Sequence, residues 1–166
     1  LGPDTIKYTL LDDANAILAA YKSGELQFIE EVPTDEVPNY LASGELQISD
    51  YIGTYYVCFN TEDEVFSNPL VRKAFSLAID RNYIVEQVTQ TGEVPAGGFV
   101  PAGIYDTEGA GHDDFRTVGG DYYSVAAEDY EANCEEAKAL LAEAGYPNGE
   151  GFPTVEYLYN TNDSHK

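Results

Sequence analysis

The chain has no tryptophan, no methionine, two cysteines, two histidines and only eight basic residues against thirty acidic ones. Each scarcity excludes something. A formal net charge of −22 leaves no basic surface for a phosphate backbone, so nucleic acid is excluded as a partner and anionic lipid is repelled. No run of eighteen apolar residues occurs, so no transmembrane helix is expected. The opening LGPDTIKYTL lacks the basic and long apolar regions of a signal peptide. No initiator Met is present, and VEYLYNTNDSHK reads as a strand running into a helix cap, so a piece of a longer protein is expected.

Two cysteines without CxxC spacing do not make a metal site. Cys58 falls in an expected strand and Cys134 in an expected helix, which favours two buried free thiols over a disulfide. Neither His112 nor His165 stands in a GxSxG-like context, so a serine triad has no support. A Walker loop and a complete GxGxxG are absent. Asp106, Glu108, Asp113 and Asp114 surround Gly109 and Gly111 without the EF-hand order of ligands, so a solvated turn is the simpler reading.

What is present describes a folded α/β protein. Apolar residues make up 43 %, enough for a core. Asp12 and Asp13 are placed to cap a helix that ends near Gly24. Thr34 is expected to cap a short helix interrupted by Pro38. The pentapeptide SGELQ occurs at 23–27 and 43–47. Its period does not continue, so it marks one local device used twice: a helix stops on Gly and a strand begins. Further strands are expected at 5–10, 54–60 and 154–159.

NPLVRKAFSLAIDR (68–81) reads as a helix with Asn68 as cap and Pro69 at its first position. Leu70, Ala74 and Ala78 form one row, and Val71, Phe75 and Ile79 the next. Three of the eight basic residues, Arg72, Lys73 and Arg81, crowd this stretch. A second helix follows, ending before Gly92. Residues 92–124 read as an ordered irregular loop anchored by Phe99, Val100, Ile104 and Tyr105. Residues 126–144 form a helix that ends on Gly145. Strands interleaved with helices predict a sheet with helices packed against it.

Fourteen tyrosines stand beside the missing tryptophan, and Tyr55–Tyr56 lie on one expected strand. Neighbours on a strand face opposite sides, so one can pack while the other meets a ligand.

TYYVCFNT, NPLVRKAFSLAIDRNYIV, GEVPAGGFVP and AKALLAEAGYPNGEGFPTVEYLYNT, in that order, resemble the family 5 extracellular solute-binding proteins. The resemblance implies an α/β, periplasmic-binding-protein-like (type II) lobe, with a mixed sheet flanked by helices. Residues 1–166 would be a single partial domain, the first part of the C-terminal lobe of a two-lobed receptor. The receptor would capture oligopeptides or related small solutes and deliver them to the permease subunits of an ABC importer. It would be extracellular, as a surface lipoprotein or periplasmic, and would meet membrane only through a lipid anchor or the permease. It implies no catalytic residue, cofactor or metal. It places Tyr56 and Cys58 on the cleft strand, Thr89 near the ligand's far end, and Asn160 and His165 in a YNTxDxH pattern near the cleft. Cys58 and Thr89 stand where some relatives carry a polar or acidic residue and a base. Arg72 and Arg81 are expected to tie their helix to acidic strands and loops. Two other readings are an acidic hydrolase using paired carboxylates and a calcium-binding surface scaffold with its ion in the 106–114 loop.

Overall fold

A computed structural model provides the fold and describes residues 2–107 and 111–160. Ile48–Asn160 form one compact unit and the residues before Ile48 belong to another.

The first unit carries α1 (Ala14–Lys22) and α2 (Val37–Ser43). The Asp13 carboxylate accepts the Ala16 N–H at 2.7 Å, satisfying one of the donors a helix start leaves over. The helix-stop half of the SGELQ device is observed twice over. Ser23 and Ser43 donate their hydroxyls to the carbonyls of Ala20 and Tyr40 at 3.0 and 3.1 Å. Gly24 and Gly44 then take φ of +78° and +77°, where a Cβ would be strained. This turns the chain so that Leu26 and Leu46 donate to the same two carbonyls at 3.2 and 3.1 Å. The start of α2 differs from expectation. Its N-cap is Glu36 rather than Thr34, and Pro38 lies in the first turn. An N–H there has no acceptor within the helix, so Pro38 begins the helix instead of interrupting it.

The second unit holds α3 (Pro69–Leu77), α4 (Arg81–Tyr83), α5 (Phe115–Gly119) and α6 (Tyr130–Glu143). α4 runs on into a π-helical turn, Ile84–Thr89, and a 3-10 turn, Ala127–Asp129, leads into α6. Asn68 caps α3 as expected, accepting the Leu70 N–H at 2.9 Å. The buried stripe of α3 is Val71, Ala74 and Leu77. It is narrower than the two rows read from sequence, because the helix ends at Leu77 and leaves Ala78 and Ile79 exposed. Ala74 and Leu77 pack with Ala137 of α6, and Tyr123, Leu140 and Leu141 close around them. Small residues at 74 and 137 let the two helices approach closely. An aromatic chain runs alongside, Phe59 to Phe66 at 5.0 Å, Phe66 to Phe75 at 5.3 Å and Phe75 to Phe152 at 5.6 Å.

The clustered basic residues serve this helix pair, but mostly through carbonyls rather than the acidic groups expected. Arg72 donates to the carbonyls of Phe66 and Ser67 at 2.6 and 2.9 Å, fixing the turn that enters α3. Arg81 donates to the Ser76 carbonyl at 2.8 Å, one of the acceptors left over at the end of α3. It also donates to the Tyr123 hydroxyl at 2.8 Å and lies over that ring at 4.5 Å. Among the described residues, Lys73 is the one of the three that makes an ion pair, with Glu136 of α6 at 2.6 Å, and both side chains are about half exposed. Such a pair contributes about 0.5 kcal/mol. A charged donor on a carbonyl contributes more, roughly 1.5–3 kcal/mol, so the arginines carry most of the effect.

The mixed sheet is not observed. Among the described residues the only pairing is an isolated antiparallel bridge, Tyr105 with Asp114. Residues 5–10, 26–29, 54–60 and 154–159 lie outside helices but form no ladder. Their β-branched and aromatic composition fits a pleated surface, yet a strand also needs a neighbour's N–H and C=O groups. The thiols are free, but Cys58 is exposed rather than buried, since its run joins no sheet ladder among the described residues. The 92–124 loop is ordered by polar groups more than by the apolar anchors proposed. Phe99, Ile104 and Tyr105 stay exposed, while Asp114 caps α5 and accepts the Gly103 N–H at 2.6 Å. The glycines around α5 hid it from the sequence reading.

Leu77→Ala should cost about 3 kcal/mol in urea unfolding, because the cavity would open at the closed α3–α6 contact; a loss under about 1 kcal/mol would contradict that packing. Arg72→Ala should lower the melting temperature and leave ligand affinity intact; an affinity loss at unchanged stability would contradict a structural role.

Candidate functional site

The 54–60 run supplies the first two candidate residues. Tyr55 is 72 % and Tyr56 56 % exposed, so both sides of the run are open. Tyr56 meets Phe99 edge to face, with ring centroids 4.8 Å apart at 71°. Cys58, two residues on, is also exposed. The 154–160 run has a similar character: Tyr157 and Tyr159 stack at 5.7 Å, and Asn160 ends the described part of it. His165 lies outside the described residues, as do Glu108 and Gly109 of the acidic loop.

Thr89 is the last residue of the π-helical turn. That turn closes on Gln90, whose φ of +56° is uncommon for a side chain with a Cβ. π-turns recur at functional positions because they re-aim side chains. Here Thr89 is aimed at Glu93, donating its hydroxyl to Oε2 at 2.8 Å. Glu93 also accepts the Thr91 N–H at 3.2 Å and the Thr91 hydroxyl. Partial burial pushes the Glu93 carboxyl up, but bonds from the Thr91 side chain, its own N–H, Thr89 and the Thr91 N–H outweigh this and hold it below its ordinary value. Sequence reading missed Glu93, since nothing in TQTGE signals that two hydroxyls converge on one carboxylate.

Tyr56 and Thr89 are therefore engaged by different partners, Phe99 and Glu93. A separate open groove of about 420 Å³, lined by Asp80, Tyr83, Glu86 and Tyr130 among others, contains none of the four described candidates, Tyr56, Cys58, Thr89 and Asn160. Asp114, offered as part of a calcium loop, is instead occupied by N–H groups. Bonds from the N–H of Gly103 and of Arg116, and the nearby Arg116 charge, hold its carboxyl low. Among the described residues no three His, Cys, Asp or Glu side chains converge as a metal group. The arrangement offers exposed aromatic faces with hydroxyl and thiol edges, chemistry suited to reversible contact with a small organic ligand.

The sequence profile of the bacterial extracellular solute-binding proteins, family 5 Middle, matches residues 2–166. The chain is 34 % identical to the dipeptide-binding protein DppE of Bacillus subtilis over 165 residues, 98 % of this chain and 28 % of that protein. It is 33 % identical to the periplasmic oligopeptide-binding protein OppA of Salmonella typhimurium over 154 residues, 88 % of this chain and 25 % of that one. Among solved structures it resembles a periplasmic oligopeptide-binding protein of Borrelia burgdorferi, with a TM-score of 0.68, 30 % identity, and coverage of 93 % of this chain and 28 % of that one. The chain thus spans roughly a quarter of the length of these relatives. It belongs to the family 5 bacterial extracellular solute-binding proteins.

Glu93 gives a pH test. Its folded pKa is lowered, so its contribution to stability is complete above its unfolded value, about 4.3, and is lost as pH falls through the folded value. Thr91→Val should move the Glu93 carboxyl upward in an NMR titration; an unchanged midpoint would contradict the hydrogen-bond cause.

Proposed function

We propose that this chain, as a member of that family, forms part of the ligand-capturing receptor of a peptide-type ABC importer. In this reading it is the first part of the C-terminal lobe. The receptor closes two lobes on a peptide or related small solute, then delivers it unchanged to membrane permease subunits. Its place is outside the cytoplasmic membrane, periplasmic or lipid-anchored. The observation that carries the reading is the family match over residues 2–166. The relatives' names, dipeptide-binding and oligopeptide-binding, make peptides the first ligands to test.

Tyr56, Cys58, Thr89, Asn160 and His165 are proposed as ligand-facing positions. The exposure of Tyr56 and Cys58 supports this for the first run. With no carboxylate at position 58 and no basic side chain at position 89, a charged peptide terminus is proposed to be held elsewhere, and contacts at these two points to be apolar or neutral. One wall encloses too little of a ligand for tight binding, because affinity needs most of the ligand's surface removed from water.

Calorimetry of the full-length protein carrying this chain, against di- to octapeptides, should show binding at micromolar concentration or better. The isolated chain should show none in the same range. Heat of binding to none of the peptides by the full-length protein would overturn the peptide reading, and micromolar binding by the isolated chain would overturn the one-wall reading.

A further inference from the structure

We propose that Phe99 is a further ligand-facing residue, and that Arg116 is the positioning residue that holds it against Tyr56. The two rings would form an aromatic corner for an apolar or aromatic side chain of the ligand. The inference rests on the peptide-receptor reading and extends it to a residue and a side-chain class.

Phe99 is exposed in a loop, so something other than burial must fix it. The backbone on both sides of it is anchored at successive points. The Ala96 carbonyl accepts the Tyr123 hydroxyl at 3.3 Å, and the Gly97 carbonyl accepts the Tyr122 N–H at 2.9 Å. Beyond Phe99, the Val100 carbonyl accepts Arg116 Nη1 at 3.4 Å. The Arg116 guanidinium also lies against Gly98 so closely that a Cβ there would collide with it. Arg116 thus touches the residue before Phe99 and the residue after it.

Arg116 is itself well held. Its side chain is 19 % exposed, its Nη2 donates to the Gly120 carbonyl, and Asp121 Oδ1 lies 3.6 Å away. Its backbone stands in α5, which Asp114 caps through the Arg116 N–H at 2.8 Å. A guanidinium suits this task because its planar fork reaches separate acceptors from one rigid group, which a lysine ammonium cannot reproduce. The product is the 4.8 Å, 71° contact between Tyr56 and Phe99. Edge-to-face pairs leave ring faces open for a third apolar group.

The test uses the full-length protein with ¹³C-labelled tyrosine, the Tyr56 ring signal being identified from Tyr56→Phe. In the wild type, Phe99 should shift that signal, and Phe99→Ala should remove the shift. Arg116→Gln should remove it too, Arg116→Lys should fail to restore it, and Gly98→Ala should remove it from the opposite side if Arg116→Gln does not fold. Tetrapeptides with a central Phe or a central Ala are then titrated. Phe99→Ala should weaken the Phe peptide roughly two- to tenfold relative to the Ala peptide. Arg116→Gln should do the same in the wild type and add nothing in the Phe99→Ala background. An unchanged Tyr56 signal in both Arg116→Gln and Gly98→Ala overturns the positioning role, and equal losses for both peptides overturn the aromatic corner. If the wild type binds neither peptide, the peptide-receptor reading and the corner built on it fail together, while the ring signal still decides the positioning role.

Discussion

The contact between α3 and α6 is what the larger unit depends on. Val71, Ala74 and Leu77 are each at most 2 % exposed, and no other described stretch of this short chain offers three such positions on successive turns of a helix. Packing alone does not fix the ends of the two helices. Arg72 secures the entry to α3, Arg81 accepts the burden of its exit and reaches Tyr123, and Tyr130 of α6 donates to the Ala78 carbonyl at 3.1 Å. The clustered cations thus have three different jobs: Arg72 holds loop carbonyls before α3, Arg81 takes a carbonyl left over at its end, and Lys73 pairs with Glu136 of α6.

From that base the unit extends in two directions. The aromatic chain through Phe66 and Phe75 links α3 to Phe59 at one side and Phe152 at the other. The residues that follow or precede these two anchors are the open runs that carry Tyr56, Cys58, Tyr157, Tyr159 and Asn160. Tyr123 continues the helix contact into the 92–124 loop and thereby toward Phe99. Rigid packing and an exposed aromatic surface are thus parts of one connected arrangement.

Helices were legible in the sequence because their determinants are local. Asp13, Asn68, Gly24 and Gly145 each act within a few residues of themselves, and each is found in the role its position suggested or, for Gly145, with φ of +99° just past α6. Sheet pairing was not legible, because the composition of 54–60 specifies burial but not which backbone supplies it. The acceptors of Arg72 and Arg81 were misjudged for a similar reason: a sequence displays side-chain charges but not unpaired carbonyls. The Thr89–Glu93 and Arg116–Gly98 contacts depend on a π-turn, a positive-φ residue and several glycines, whose combined geometry no periodicity encodes. The family motifs carried the functional reading further than any single side chain did.

Cys58 offers the most direct probe of whether this surface faces a captured ligand. Its thiol is exposed, and Cys134, half-buried in α6, serves as an internal control. The alkylation rates of both should be measured in the full-length protein with and without a saturating peptide. A ligand-facing Cys58 should be protected by the peptide while Cys134 keeps its rate. Equal Cys58 labelling in the two conditions would contradict a ligand-facing role for the Thr54–Asn60 run.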